Sequence, residues 1–228
     1  MHRLSSELDH RQKVLRENRY LEELEDNILV YLADHTSLLA FVEGETILRE
    51  GNPGKGLYIV ETGRVKIYKI SPSGREMIIS VMGPGDSFNE VPVFDKKDNP
   101  ANVGAVMESR LWLIDAQALR KVIAENPLAA QQIIFNLSQN LRMLVGMVAE
   151  LSFYTVTARL ARLLRKLPPE QLSGESNKRL TQDDLASRIG TVREVASRSL
   201  KELEMFGAIS VDRGKIEIVD ESRLIDWE

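Results

Sequence analysis

Arg193, Glu194, Ser197, Arg198 and Lys201 recur at intervals that place them on one face of a helix. Such a face carries what a reader of the DNA major groove needs. An arginine guanidinium can bridge guanine O6 and N7, and a glutamate can accept from cytosine N4. The opposite face holds Val192, Val195, Ala196, Ser199, Leu200 and Leu203, an apolar stripe suited to packing. Just upstream, Thr181 followed three residues later by Asp184 is an N-cap signal, and Leu185, Ala186 and Ile189 supply a second stripe. Gly190 turns the chain between the two stripes, which makes the segment a helix-turn-helix.

Charge outside and leucine inside also describes any solvated amphipathic helix, so the flanking residues decide the matter. Gly207 is a natural C-cap, and Ala208–Val211 and Lys215–Val219 alternate like strands about a predicted turn at Asp212-Arg213-Gly214. A helix-turn-helix followed by a β-hairpin is a winged helix. The combined motif points to double-stranded DNA as the partner.

The elements that must position this surface lie in a chain of 228 residues, 43% hydrophobic and 28% charged, long enough for one large or two modest domains. The absence of cysteine excludes disulfides, thiolate zinc or iron–sulfur sites and thiol switches. His2, His10 and His35 lack metal-ligand spacing, so no metal site is expected. No stretch has the length of a membrane span, and no apolar leader follows the charged N-terminus, which places the expected location in the cytoplasm. The net charge of −4 argues against bulk attraction to nucleic acid but leaves room for a local basic face.

Residues 1–19 read as a charged tail with the first two histidines on it, running into a helix over Tyr20–Leu24 that Ile28, Leu29 and Leu32 continue. Short β-rich runs follow: Thr46–Leu48, Leu57–Val60, Arg64–Tyr68, Met77–Val81, Val103–Met107 and Arg110–Ile114, separated by Gly/Pro/Ser/Asn turns. Their spacing predicts a small antiparallel roll. Asp115 caps a helix through Leu119, Val122 and Ile123 that stops at Asn126-Pro127. The next helix carries Ile134, Leu137, Leu141, Leu144, Val148 and Leu151 at alternating steps of three and four, a heptad seam. Such a stripe can pack on its own core, but a partner helix is the preferred reading. A further amphipathic helix, with Val156, Leu160, Leu163, Leu164 and Leu167 inward, ends at Pro168-Pro169, and a polar loop to Lys178 leads into the helix-turn-helix. The expected architecture is α+β: tail 1–19, antiparallel jelly-roll-type sensor domain 20–125, dimerisation helix 126–155 and winged helix-turn-helix 156–228.

In that order these parts resemble the Crp/Fnr superfamily of bacterial transcription regulators, relatives of the cyclic-AMP receptor protein, over nearly the whole chain. The residues that carry the resemblance are Gly44-Glu45, Gly56-Leu-Tyr-Ile-Val60, Gly63-Arg-Val-Lys66, Gly83-Pro-Gly-Asp86 leading to Phe88-Asn-Glu90, and Val192-Arg-Glu-Val-Ala-Ser-Arg198. The resemblance implies that Arg193, Glu194 and Arg198 read bases. The Glu-x-x-Ser-Arg pattern of Glu194, Ser197 and Arg198 is similar to the Fnr branch, so the implied half-site is TGTGA or TTGA. Two such helices about a dyad meet major grooves about 34 Å apart, which requires an inverted repeat and a homodimer. Thr181, Ser187 and Lys201 are candidate phosphate contacts, equally available as capping or solvent residues. RNA polymerase is the implied protein partner.

Cyclic-nucleotide binders of this family place a Gly-Glu pair at fixed spacing before an arginine followed by serine or threonine. Here Asn89-Glu90 keeps the glutamate, but Pro100-Ala101 falls on the Arg-Ser pair, and Leu144 and Val145 fall where the family's long helix meets the purine. Losing the arginine–phosphate pair forfeits a charge-assisted interaction that little else replaces, so cyclic AMP is not the expected effector. The pocket is vestigial, or holds another small molecule, apolar or haem-like, or is purely structural. Met77 or Met82 would then be the axial-ligand candidates, and Lys96-Lys97 an anion-binding candidate if not simply solvated. A ligand-binding regulatory module acting on a partner protein is the second function class, although a base-reading helix would be idle there. Enzyme chemistry has no catalytic constellation, Walker loop or dinucleotide fingerprint to rest on.

Overall fold

The computed structural model describes residues 2–4, 8–18, 20–22, 24–173, 180–212 and 215–227. The chain divides into two compact units, Met1–Lys69 with Ile79–Arg142, and Ile70–Ile78 with Met143–Glu228. Residues 2–125 form β1 (His2–Leu4), α1 (Leu8–Arg16), α2 (Asp26–Asp34), β2 (Thr36–Phe41), β3 (Thr46–Leu48), β4 (Gly56–Thr62), β5 (Val65–Ile70), β6 (Glu76–Met82), β7 (Ser87–Phe88), α3 (Glu90–Asp95), β8 (Asn102–Ala105), β9 (Ser109–Asp115) and α4 (Ala116–Glu125). A 27-residue helix, α5 (Pro127–Phe153), follows. The strands form two sheets, β1-β2-β9-β4-β7 and β3-β8-β5-β6, which is the antiparallel roll the turn spacing predicted.

The five-stranded sheet is covered on both faces, and its sequence is apolar for that reason. Successive residues of a strand point to opposite sides. In β4, Leu57 and Ile59 join a core shared with the helices, while Tyr58 and Val60 join the core between the sheets. In β9, Trp112 and Ile114 go one way and Leu111 and Leu113 the other. A strand buried on both faces reads as a continuous apolar run, as Gly56–Val60 does. Tyr58 stacks on Phe88 at 5.2 Å, and burial pushes its phenol up to about 12.

The N-terminal segment departs from the expected tail and single helix. Residues His2–Leu4 pair with Leu38–Ala40, and Leu15, Tyr20, Leu21 and Leu24 are buried in the helical core. The helix breaks because the chain turns after Arg16, where the Asn18 carboxamide oxygen accepts from Tyr20 N at 3.1 Å, and restarts only at Asp26. His10 is anchored, 2.8 Å from Glu61 Oε1. The dense charge of this segment had masked a handful of apolar side chains sufficient to dock it. Strand β2 was equally missed, because Thr36–Phe41 is buried at four of its six positions without a strict alternation, and so was the two-residue β7.

The second unit contains α6 (Val156–Lys166), α7 (Pro169–Ser173), α8 (Gln182–Ile189), α9 (Arg193–Met205), β10 (Ile209–Asp212), β11 (Lys215–Ile218) and α10 (Glu221–Ile225). Part of the expected Pro168–Lys178 loop is α7, opened by Pro169 at a first helical position; residues 174–179 of that loop lie outside the described residues. Leu160, Ala161, Leu164, Leu185, Ala186, Ile189, Ala196, Leu200, Leu203, Ile209, Ile216 and Leu224 make one core.

Gly63 lies at φ +88°, and a Cβ there would stand 2.3 Å from Glu108 O and 2.4 Å from Ser109 Oγ. Both the backbone conformation and the close approach demand glycine. Gly63→Ala is expected to destabilise the first unit by about 2–3 kcal/mol. Urea unfolding followed by Trp112 fluorescence in a Trp227→Phe background reads this directly, and an unchanged midpoint contradicts the assignment.

Candidate nucleic-acid interface

Helix α8 begins with a complete capping box: the Thr181 hydroxyl accepts from Asp184 N at 3.1 Å, and Asp184 Oδ2 accepts from Thr181 N at 2.8 Å. It ends at Gly190, φ 67° and ψ 43°, the left-handed conformation that lets two helices meet at a tight turn. Helix α9 then buries Ala196, Ser199, Leu200 and Leu203. Burial of each leucine contributes about 1.5–3 kcal/mol, so the rotation of α9 about its axis is strongly fixed. Thr157 of α6 adds a polar register mark, its hydroxyl 2.9 Å from that of Ser199 and donating to Glu202 Oε2 at 2.6 Å.

With that stripe inward, Arg193, Glu194, Arg198 and Lys201 are exposed and Ser197 is half-buried on the same outer surface. The structure therefore brings the predicted base-facing residues together. Among the described residues Glu194, Arg198 and Lys201 form no ion pair, while Arg193 Nη1 lies 3.5 Å from Asp183 Oδ2. Both partners of that pair are largely in water, where such pairs contribute little, so the guanidinium can leave it for another acceptor. Of the phosphate candidates, Thr181 is exposed, Ser187 half-buried and Lys201 exposed, and the Thr181 hydroxyl is already engaged with Asp184.

The hairpin is present, with Ile209 opposite Ile218 and Asp212 opposite Lys215. Arg213 and Gly214 of the predicted turn lie outside the described residues. Two supports were missed in the sequence. Asp220 caps α10 by accepting from Ser222 N at 3.0 Å, and the hydrogen bond from the Ser222 side chain lowers its carboxyl below the usual range. Arg223 of α10 then donates to Phe206 O at 2.7 Å and closes the end of α9. The Asp-x-Ser-Arg spacing was the available signal.

The predicted effector residues divide between the two units. Asn89 adopts φ 74° and donates to Gly56 O at 3.0 Å; asparagine tolerates the left-handed conformation that suits glycine. Glu90 is only 7% exposed, and its Oε1 accepts from the Tyr20 hydroxyl and, at 3.5 Å, from Asn140 Nδ2. The carboxylate is thus engaged from within the chain. Pro100 is exposed, its carbonyl accepting from Lys69 Nζ at 3.1 Å, and Ala101 is half-buried. Leu144 and Val145 are exposed in the second unit.

The seam residues lie on α5 as spaced. Ile134, Leu141, Leu144, Val148 and Leu151 are exposed, Leu141 by 62% and Val148 by 64%. Leu137 instead packs against the helical core of the first unit, alongside Ile133. Phe135 and Val145, outside the strict heptad, widen the apolar face. Helix α5 is not long and apolar enough to cross a membrane, and neither is any other helix among the described residues.

Comparison with known proteins agrees with this layout. The cyclic nucleotide-binding domain matches residues 38–126, and the Crp-like helix-turn-helix domain matches residues 158–227. The CRP-like cAMP-activated global transcriptional regulator of Mycobacterium tuberculosis is 31% identical over 206 residues, 88% of this chain and 92% of its own length. The cyclic AMP receptor protein of Thermus thermophilus is 28% identical over 78% of this chain and 82% of its own. The structure of the c-di-GMP responsive global regulator CLP of Xanthomonas campestris shares the fold, with a TM-score of 0.72 and 24% identity over 86% of this chain and 99% of that one. A roll, a long helix and a helix-turn-helix, matched in one alignment along nearly nine-tenths of the sequence, establish that the chain belongs to the Crp/Fnr family of transcription regulators.

Proposed function

We propose that this protein is a homodimer that reads an inverted repeat of TGTGA or TTGA half-sites and recruits or blocks RNA polymerase there. The observation that carries this reading is the exposed surface of α9, where Arg193, Glu194, Ser197 and Arg198 stand together above a buried apolar stripe. Arg193 and Arg198 supply bidentate donors for guanine, Glu194 an acceptor for cytosine, and Lys201 with Ser187 the contacts to phosphate. Dimerisation is supported by α5, where Ile134, Leu141, Leu144, Val148 and Leu151 are exposed in the single chain and repeat at coiled-coil spacing. One protomer sees half a site.

Cyclic AMP is not its effector, although the Mycobacterium tuberculosis relative is named for activation by it. Two features support this: Pro100 offers neither charge nor amide hydrogen to a cyclic phosphate, and the Glu90 carboxylate is held by Tyr20. Titration calorimetry of the full-length protein with cyclic AMP up to about 1 mM is expected to register no binding; a dissociation constant in the micromolar range contradicts the reading.

Arg193→Ala is expected to cost about 1–3 kcal/mol on the preferred operator and to relax the preference at one base pair per half-site. Fluorescence anisotropy against a set of single-base operator variants measures both. An even loss on every sequence makes Arg193 a phosphate contact instead, and no operator binding by wild type at low salt favours a regulatory module that acts on a protein partner.

Leu141→Glu with Val148→Glu is expected to yield a monomer by sedimentation velocity, with operator affinity down at least about a hundredfold and the helical circular dichroism kept. A variant that stays dimeric places the interface elsewhere.

A further inference from the structure

Lys55, Lys96, Lys97 and Arg120 line one polar cleft of about 390 Å³ on the first unit, together with Asp98 and Asp115. Among the described residues none of the four cations forms an ion pair. The two carboxylates do not balance them. Asp115 keeps its charge but directs Oδ1 to the first turn of α4, accepting from Gln117 N at 2.8 Å and Ala118 N at 3.0 Å, so the lining holds Lys55, Lys96, Lys97 and Arg120 against Asp98 and Asp115.

A lysine pair in a turn is ordinarily a solvated feature. Two observations set this one apart. The first is that its turn is fixed. Lys96 is held at φ 58°, a left-handed conformation unusual for a side-chain-bearing residue, and Lys97 N donates to Asp95 Oδ1 at 2.9 Å. Residues 98 and 99 are stitched to the loop before Lys55 by the Pro53–Asp98 bridge, by Gly51 N to Asn99 O at 3.0 Å, by Asn99 N to Asn52 O at 2.8 Å, and by Asn99 Nδ2 to Arg49 O at 3.1 Å. The second is that cations stand on more than one wall. Lys55 lies on the loop before β4, and Arg120 on α4 donates one N–H to Val93 O at 2.9 Å, which orients the guanidinium and leaves its other donors available. Like charges gathered on rigid backbone concentrate positive potential and so favour an anion.

We propose that this cleft binds the phosphoryl group of a small molecule, Arg120 supplying directional N–H donors and Lys55, Lys96 and Lys97 neutralising the dianion. The cleft volume accommodates a phosphate with a small organic substituent. This site lies on the sensor unit, makes no use of the DNA-reading surface, and does not depend on the assignment of α9.

Calorimetric titration of the full-length protein at low salt, with inorganic phosphate and with glycerol phosphate as probes, tests it. Saturable binding is expected, weakened at least about tenfold by Lys96→Gln with Lys97→Gln and unchanged by Arg193→Ala. Both lysines are exposed, so the double variant keeps the fold, and its unaltered thermal midpoint verifies that. Tighter binding of glycerol phosphate identifies an organic phosphate as the source, and equal affinity identifies free phosphate; either ranking supports phosphoryl recognition. No saturable binding of either probe overturns the proposal. Binding that survives the double lysine variant but disappears in Arg193→Ala overturns it as well, since the anion then sits on the other basic surface.

Discussion

The polar outer surface of α9 depends on one packing arrangement: Ala196, Leu200 and Leu203 of α9 set into a core with Leu160, Ala161 and Leu164 of α6 and Leu185, Ala186 and Ile189 of α8. Those three α9 residues recur at steps of four and three, so burying them turns the polar set at 193, 194, 197, 198 and 201 outward. The Thr181–Asp184 capping box fixes the start of α8, and the left-handed Gly190 ends it so that α9 begins at Arg193. Arg223, bonded to Phe206 O, sets where it ends. A helix located at both ends and locked in rotation is what base readout requires, because a bidentate contact tolerates little displacement.

The same economy governs the long helix. Its first turns carry Ala129, Ile133 and Asn136 into the first unit, and Leu137 follows them, while the remaining apolar positions face water in the single chain. An apolar stripe of that length is costly in isolation and inexpensive in a symmetric pair. The proposed dimer and the proposed DNA-reading surface therefore rest on one physical rule, that a periodic apolar stripe seeks cover and its opposite face does not.

Within the roll, the internal hydrogen bond from Tyr20 to Glu90 replaces the demand for an external partner. A buried carboxylate is expensive unless it accepts hydrogen bonds. The N-terminal segment, docked by Leu15, Leu21 and Leu24, delivers that donor.

The polar outer face of α9, the capping box, the Asp115 cap, the six central strand runs and the α5 stripe were all legible in the sequence, because each is written in residues close together along the chain. Strand β2, the two-residue β7, the docked N-terminal segment, the Arg223 closure of α9 and the Arg193–Asp183 pair were not. Those features rest on side-chain contacts between different elements, on a strand without strict alternation, or on one too short to show a period. Sequence alone thus determined which face of each helix is polar and which apolar, since local periodicity encodes it. Only the tertiary structure decided which of those residues are occupied, as Glu90 and Leu137 are, and which remain exposed, as Arg198 and Leu141 do, because occupancy is set by contacts between distant segments.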